Sequence, residues 1–280
     1  MDWQQNPNWI FLRLDMNSSV HSTAIVESQS SLGDGVSVGP YAVIEEGAVV
    51  GNGSIVEAHA IIKQWARVGE NVRVGHFSVV GGDPQHTGFD CQSKSFVSIG
   101  NNTRIGEGVT IHRSIYENQI TKVGDKAFLM GNSHVAHDSI LGDRVVLANG
   151  VLLGGHVEIG ADVFVGGGTA IHQFVRVGCG VMIGGLAEIS QDVGPHLLVT
   201  GRNHASGINV IGLSRRNVNK DDINALKRLY RDLLYSTKNV TRRAQEHINE
   251  LDEDSSATVR EFLHFFITGD RGFARNQKCN

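Results

Sequence analysis

Aliphatic residues recur at a six-residue interval along most of this chain. Val, Leu or Ile occupies every sixth position in three runs, which cover residues 20–80, 99–111 and 123–189. The next residue is often Gly, which tolerates the positive φ or tight backbone of a corner. Such a hexapeptide repeat is typical of a parallel β-helix, in which three rungs close one triangular coil. The repeat therefore predicts stacked coils with the aliphatic side chains inside, although it does not determine their handedness.

The composition of the chain excludes several classes of function. The 280 residues carry a net charge of −4, so no basic field favours binding to nucleic acid. The three cysteines are scattered and odd in number, which fits a reducing compartment, and we expect a cytoplasmic protein. No apolar run is long enough to cross a membrane, so no membrane span is expected.

Three departures from the repeat mark interruptions of the coil. The interval from Val80 to Ile99 exceeds three rungs by one residue, which predicts an external loop or a looped-out rung. One aliphatic position is missing between Ile111 and Val123, which predicts a second excursion. After Ile189 the repeat ends in a segment with Pro and turn residues.

These boundaries divide the chain into three expected parts. They are an N-terminal extension (residues 1–15), the β-helix (16–200), and a linker with a C-terminal α-helical domain (201–280). Apolar residues at helical spacing predict three helices in the tail. The first follows a possible cap at Asp221 or Asp222, and the others are expected near residues 241–251 and 257–267.

Polar residues on the outside of the coil are the candidates for chemistry. Val135 belongs to the inward-facing repeat, so its flanking His134 and His137 can project outward. Asp138 follows His137 directly and could orient an imidazole. Gln173 lies 36 residues after His137, which places it two coils along on the same edge.

Further polar groups fall near the same edge. His156 lies 19 residues after His137, His112 lies 25 residues before it, and His172 lies two coils along. Gly155 could present a bare backbone N–H to a substrate. An imidazole can remove a proton from a hydroxyl, and an N–H can stabilise a developing oxyanion. The group therefore suits direct acyl transfer from a thioester to an alcohol or amine, with no metal and no cofactor.

Two other classes of function stay open on the residues alone. The β-helical carbonic anhydrases resemble this chain in fold and bind zinc through three histidines between subunits. The spacing of His134 and His137 does not match the wider pair of those enzymes, and His86 is only a candidate third ligand. A non-catalytic scaffold, in which the histidines merely pack, is the other alternative.

Five segments carry a closer resemblance: GVTIHRS, LMGNSHVAHD, LANGVLLGGHVEIG, TAIHQFVRVG and GLSRR. They resemble the UDP-N-acetylglucosamine O-acyltransferases, over roughly residues 17–280. The resemblance implies a left-handed β-helix that forms a homotrimer, with active sites between neighbouring subunits. It also implies transfer of a long 3-hydroxyacyl chain from acyl carrier protein to the 3-hydroxyl of a UDP-sugar, the reaction that opens lipid A synthesis.

The resemblance also assigns roles to individual residues. It implies that His137 is the general base, that Asp138 orients it, and that the Gly155 N–H is the oxyanion donor. The substrate-binding residues that it implies are Gln85, His86, His112, His134, His156, His172, Gln173, Gly185, His204, Asn209, Arg215 and Arg216. Within this set Gly185 stands where acyl length is limited, and the last three residues match contacts to the nucleotide.

The chain departs from the family pattern around the acceptor. His86 replaces an acidic residue, Gly88 replaces a Lys, and Ile211 replaces a Glu. These changes raise the alternative that the acceptor is a different nucleotide sugar, such as one that bears an amine. The acyl carrier protein is an acidic partner, and candidate docking residues are Lys227, Arg228, Arg231, Lys238, Arg242, Arg243, Arg271 and Arg275.

Overall fold

The computed structural model describes residues 19–235, 238–252 and 255–276. The predicted N-terminal extension at residues 1–15 lies outside these ranges. The coil is built from very short strands, and most of them end on a residue of the hexapeptide repeat. In chain order the strands are β1 (Ser19–Val20), β2 (Ile25–Val26), β3 (Ser31–Leu32), β4 (Ser37–Val38), β5 (Val43–Ile44), β6 (Val49–Val50), β7 (Ile55–Val56), β8 (Ile61–Ile62), β9 (Ala66–Val68), β10 (Arg73–Val74), β11 (Val79–Gly82), β12 (Phe96–Ile99), β13 (Arg104–Ile105), β14 (Thr110–His112), β15 (Ile120–Val123), β16 (Phe128–Leu129), β17 (His134–Val135), β18 (Ile140–Leu141), β19 (Val146–Leu147), β20 (Leu152–Leu153), β21 (Glu158–Ile159), β22 (Phe164–Val165), β23 (Ala170–Ile171), β24 (Arg176–Val177), β25 (Met182–Ile183), β26 (Glu188–Ile189), β27 (Leu197–Thr200) and β28 (His204–Ile208).

The strands form three sheets, which are the three faces of the coil. Face A has the order β1-β4-β7-β10-β13-β16-β19-β22-β25-β27-β28, face B has β2-β5-β8-β11-β14-β17-β20-β23-β26, and face C has β3-β6-β9-β12-β15-β18-β21-β24. Along face B, His134 pairs with Leu152 and Leu152 pairs with Ala170, both in parallel register. Partners therefore lie one coil of 18 residues apart, and the predicted parallel β-helix with a helical tail is confirmed.

The repeat residues form the core as predicted. From Val38 to Ile189, each aliphatic residue of the repeat is at most 3% exposed. Val20 is 48% exposed, because it belongs to the first described coil and the described residues include a neighbouring coil on one side only. Burial of each such side chain contributes roughly 1.5–3 kcal/mol of transfer free energy. No single coil can bury its own interior, so the stack is the stable unit.

The glycines that follow repeat residues are required by close approach between coils. A Cβ added to Gly75 would lie 2.6 Å from the carbonyl carbon of Gly106 in the next coil. Positive φ occurs two residues later in most rungs, as at Asp138 (61°), His156 (59°) and Phe174 (64°), although Gly81 is itself at 91°. These three side chains therefore occupy the same corner position in successive coils.

Both predicted excursions leave the coil at the corner between faces B and C, called here the B–C corner. The first connects β11 to β12 and the second connects β14 to β15. Arg113, which is buried, holds the first excursion by donating to Asp83 Oδ1 at 2.9 Å and to the Cys91 carbonyl at 2.9 Å. Its guanidinium also lies 5.3 Å from the Trp65 ring and 4.8 Å from the Phe89 ring.

The structure extends the coil beyond the end of the sequence repeat. Strand β27 pairs in parallel with β25, and β28 then pairs antiparallel with β27. Four helices follow: α1 (Val210–Arg215), α2 (Lys220–Leu234), α3 (Val240–Asn249) and α4 (Ala257–Phe265). The short helix α1 was not predicted. Within the described residues, no helix combines the length and apolar character needed to cross a membrane.

The predicted cap of α2 is wrong. Asn219 is the N-cap, and its side-chain oxygen accepts a hydrogen bond from the Asp222 N–H at 2.8 Å. Asp221 and Asp222 instead lie in the first turn, where carboxylates interact favourably with the helix dipole. Helix α4 packs on the end of the coil through Phe266, and a Cβ on Gly194 would lie only 2.2 Å from the Phe266 ring.

Candidate active site

A groove of about 630 Å³ runs along face B and reaches the B–C corner. It brings together many of the residues singled out in the sequence: Gln85, His112, His134, His137, Gly155, His172 and Gln173. Its apolar lining includes Leu152 and Ala170, whose side chains point outward from face B. Polar groups therefore cluster at one edge of the groove, beside an apolar floor.

His137 and Asp138 form a hydrogen-bonded pair at this edge. The distance from His137 Nδ1 to Asp138 Oδ2 is 2.8 Å. The other carboxylate oxygen accepts a hydrogen bond from the Ser114 hydroxyl, and the Ile115 N–H donates to Oδ2 at 3.2 Å. Burial raises the pKa of Asp138, but the hydrogen bonds from His137, Ser114 and Ile115 outweigh it, so the pKa lies below its usual value. An ionised Asp138 accepts from Nδ1–H, which leaves Nε2 of His137 as a proton acceptor.

The backbone of Gly155 lies directly beside His137. A Cβ on Gly155 would meet the imidazole Cε1 at 2.6 Å and Nε2 at 2.8 Å, so only glycine fits here. Among the described residues, no backbone carbonyl accepts a hydrogen bond from the Gly155 N–H. A bare N–H next to the acceptor nitrogen of an imidazole is the arrangement that an acyl-transfer centre requires.

Two further histidines of the groove, His112 and His134, have lowered pKa values, which favours their neutral forms. Burial, together with the charges of His134 and His137, lowers the pKa of His112 to about 4. Burial is also the main cause of the lowered pKa of His134, whose Nδ1 lies 2.7 Å from the Thr110 hydroxyl. The rings of His112 and His134 meet edge to face with centroids 4.8 Å apart. Neutral imidazoles can donate and accept hydrogen bonds, so both can contact an uncharged sugar.

Two buried histidines make the stability of the fold depend on pH. The pKa of His112 is about 4, and burial together with the Arg216 charge lowers the pKa of His196 to about 4 as well. In the unfolded chain a histidine has a pKa of about 6.5, so each of the two takes up a proton on unfolding in the window between about 6.5 and about 4. The folded state therefore loses stability as the pH falls through this window.

We expect the free energy of unfolding to fall by up to about 1.4 kcal/mol per pH unit for each of these histidines. Urea unfolding across the window, for the wild type and for His196→Asn, measures the effect. The variant should lose stability less steeply than the wild type. Equal slopes would contradict the assignment for His196.

His86 lies on the first excursion and faces the catalytic pair. Its ring meets the His137 ring edge to face, with centroids 6.3 Å apart. The Gly88 N–H donates to His86 Nδ1 at 3.2 Å, so in the neutral ring the proton is on Nε2. At this position the chain therefore offers a hydrogen-bond donor.

His137, Asp138 and His156 form a cluster of side chains that could ligate a metal ion. Their potential ligand atoms lie within 4.8 Å of one another, and His156 Nε2 is 4.0 Å from Asp138 Oδ2. His86, the third ligand that the zinc alternative needed, is not in this group within the described residues. The Asp138 carboxylate already accepts from His137, Ser114 and Ile115, which suits an orienting carboxylate.

Comparison with known proteins agrees with this chemistry. A family model described as UDP N-acetylglucosamine O-acyltransferase, domain 2, matches residues 192–274, and the bacterial transferase hexapeptide model matches residues 29–64 and 120–155. A protein from Aliarcobacter butzleri named acyl-[acyl-carrier-protein]–UDP-N-acetylglucosamine O-acyltransferase is 39% identical over 93% of this chain and 100% of its own length. The chain belongs to the UDP-N-acetylglucosamine O-acyltransferase family.

Other members of the family agree in sequence and in structure. A Paraburkholderia phymatum protein of the same name is 42% identical, over 92% of this chain and 100% of its own. The UDP-N-acetylglucosamine acyltransferase from Campylobacter jejuni superimposes with a TM-score of 0.85 at 34% identity, covering 92% of this chain and 100% of that one. LpxA from Acinetobacter baumannii gives a TM-score of 0.87 at 32% identity, over 93% of this chain and 100% of that one.

In this acyltransferase fold, the other predicted substrate residues lie away from the groove. Arg216 packs at the corner between faces C and A, where its Nη2 is 3.1 Å from His196 Nδ1. Asn209, the N-cap of α1, donates to the Gly180 carbonyl at the same corner at 3.0 Å. Gly185 lies at the corner between faces A and B. The remaining two are His204, in β28, and Arg215, at the end of α1.

Two residues at the site of this family member, Ser114 and Phe174, were not identified from the sequence, and a third, Arg271, was named only as a candidate for docking the acyl carrier protein. Ser114 donates to Asp138, and Phe174 stacks on His156 with centroids 4.5 Å apart. Arg271, from the C-terminal segment, donates to His172 Nδ1. The 18-residue period could have indicated Phe174, which lies 18 residues after His156. No periodic signal leads to Ser114 or Arg271.

Proposed function

We propose that this chain transfers a long 3-hydroxyacyl chain from an acyl carrier protein to the 3-hydroxyl of UDP-N-acetylglucosamine. The observation that carries the proposal is the His137–Asp138 pair beside the Gly155 N–H, at the edge of a groove with an apolar floor. The names of the relatives identify the two substrates for those proteins, and the chain matches them over nearly its whole length.

The geometry supports a direct transfer with His137 as general base. Nε2 takes the proton from the sugar hydroxyl as its oxygen attacks the thioester carbonyl. The Gly155 N–H donates to the oxyanion of the tetrahedral intermediate. When the carbon–sulfur bond breaks, the imidazolium returns its proton to the departing thiolate. Asp138 keeps Nδ1 protonated throughout and stabilises the positive charge on His137. The proposed mechanism uses no metal and no bound cofactor.

The distribution of candidate residues supports a homotrimer with sites between subunits. His137 lies at the B–C corner, whereas Asn209 and Arg216 lie at the corner between faces C and A. These corners of a triangular coil face different directions. If both sets contact one nucleotide sugar, they must come from two copies of the chain. We also propose that the enzyme acts in the cytoplasm, because its scattered cysteines fit a reducing compartment.

The test is mass spectrometry of the products formed by purified enzyme, long-chain 3-hydroxyacyl carrier protein and a panel of UDP-sugars. The panel includes UDP-N-acetylglucosamine and an analogue with an amine at position 3, and each reaction is repeated with EDTA. We expect an ester of UDP-N-acetylglucosamine in both conditions. Selective acylation of the amino sugar would instead mean that the acceptor has changed, and that His86, Gly88 and Ile211 differ from the family pattern for this reason. Activity lost in EDTA and restored by zinc would contradict the metal-free mechanism. An absence of product with every UDP-sugar would favour the alternative that the protein is a non-catalytic scaffold.

A further inference from the structure

Arg271 brings a positive charge to the C-terminal end of the coil, next to the groove. Its Nη2 donates to Nδ1 of His172, a residue that lines the groove. Its Nε is buried and has no hydrogen-bond partner among the residues that the structure describes. In the same ranges, no carboxylate pairs with this guanidinium. A partly buried guanidinium with donors to spare is an anion-binding group, because leaving its N–H groups unsatisfied costs free energy.

His172 supplies a second donor at the same place. A guanidinium only donates hydrogen bonds, so the Arg271 contact makes His172 Nδ1 the acceptor. The proton of the neutral imidazole is then on Nε2. The Gln173 carbonyl, 3.2 Å from the same Nδ1, is therefore not a hydrogen-bond partner in this tautomer. The guanidinium of Arg271 and the Nε2–H of His172 can therefore both donate hydrogen bonds to one ligand.

The backbone that carries Arg271 is fixed to the coil. The Asp192 N–H donates to the Gly272 carbonyl at 2.9 Å, and the Ala274 N–H donates to the Asp192 carbonyl at 2.9 Å. The Asp192 carboxylate in turn accepts from Arg176 Nε at 2.8 Å. The position of the guanidinium is therefore set before a ligand arrives, which reduces the entropy lost on binding.

We propose that Arg271 and His172 form a phosphate-binding site at the end of the groove. The inference rests on the proposed function, since both substrates of that reaction carry phosphate. One source is the diphosphate of the nucleotide sugar, and the other is the phosphodiester of the carrier's phosphopantetheine arm. Gln173, next to His172, is two coils from His137, or about 10 Å along the coil axis at the strand spacing of a sheet. A bound phosphate would therefore lie close to the reacting groups without touching them. Glu188 also lines this end of the groove, but it pairs with Arg202 at 3.3 Å.

The experiment compares Arg271→Ala with the wild type, using two small donors: the 3-hydroxyacyl thioesters of phosphopantetheine and of pantetheine. Loss of a charge-assisted phosphate contact should lower kcat/KM about 10–100-fold. If the phosphate belongs to the donor arm, only the phosphopantetheine thioester should lose this factor. If it belongs to the nucleotide, the KM for the UDP-sugar should rise with both donors. Arg73→Ala is the matched control, because Arg73 is an exposed arginine on face A, paired with Glu57.

Two further measurements keep the inference separate from the proposed function. Arg271→Lys keeps the charge but not the planar fork, so an intermediate loss is expected even if the Ala variant fails to fold. Calorimetric binding of UDP-N-acetylglucosamine and of acyl-phosphopantetheine does not require turnover. If the wild type shows no activity but an Arg271 variant binds either ligand more weakly than the wild type does, the phosphate site is supported and the proposed reaction is contradicted. Unchanged kinetics and binding in both Arg271 variants, beside an active wild type, would overturn the phosphate site alone.

Discussion

Replacing His137 by Ala is expected to lower kcat by about 10²–10⁴-fold, the usual contribution of a general base. The reason is geometric: only this imidazole has its Nδ1 held by an ionised carboxylate and its Nε2 side against the Gly155 backbone. Without it, Asp138 and Gly155 remain in place, but no group takes the proton from the acceptor hydroxyl. Steady-state rates with saturating acyl carrier protein and UDP-N-acetylglucosamine measure the loss.

The fold should survive this change, because the His137 side chain lies at a corner and contributes nothing to the coil interior. Circular dichroism and the thermal midpoint of the variant should therefore match those of the wild type. His59→Ala is the matched control, since His59 is an exposed corner histidine that is not part of the groove. A His137→Ala enzyme that kept activity within a few-fold of this control would rule out the base assignment.

The second large effect is expected in stability, and it follows from the inward and outward alternation of one strand. Leu153 in β20 is 1% exposed inside the coil, whereas its neighbour Leu152 is 52% exposed in the groove. Leu153→Ala should lower the free energy of unfolding by about 2–5 kcal/mol, because it leaves a cavity among side chains of the adjacent coils. Leu152→Ala should change it by less than about 0.5 kcal/mol.

Urea unfolding of both variants at one fixed protein concentration tests this contrast, since oligomer stability depends on concentration. Kinetics add a second readout. The Leu152 side chain is exposed in the groove, whereas that of Leu153 is buried in the coil. Truncation of Leu152 should therefore raise the KM for the acyl donor while Leu153→Ala should not, at temperatures where the protein is folded. Equal destabilisation by the two substitutions would contradict the inward and outward assignment.

Most of the fold was predictable because one period governs it. From Val38 to Ile189 every aliphatic residue of the six-residue repeat points inward as predicted, and the 18-residue coil brought His137 and Gln173 into one groove. The reason for the glycines was not decided by the sequence, which allowed either positive φ or close contact. In the structure, contact between coils requires Gly75 and most of its equivalents, and positive φ falls elsewhere in the rung except at Gly81.

The parts that escaped prediction are those where the period is interrupted. Ser114 lies on the second excursion, 24 residues before Asp138, so a search at the 18-residue coil period misses the pair. Arg271 reaches His172 from a segment 99 residues away, through the docking of the tail. Asn219, Asp221 and Asp222 are equally good N-cap residues by type. Which of them caps α2 depends on where the first helical turn begins, and the sequence does not determine that position.

The parallel register has a consequence for how the molecule opens. Among the residues that the structure describes, the parallel strands of each coil pair only with those of the coils directly before and after it, so the stack behaves as a one-dimensional array. Such an array frays from its ends, and its amide hydrogens exchange with solvent in an order set by distance from the nearest end. His137 has complete coils on either side, and the docked tail covers the C-terminal end. Local unfolding near Val20 can therefore occur many times without disturbing the spacing between the base and the oxyanion donor.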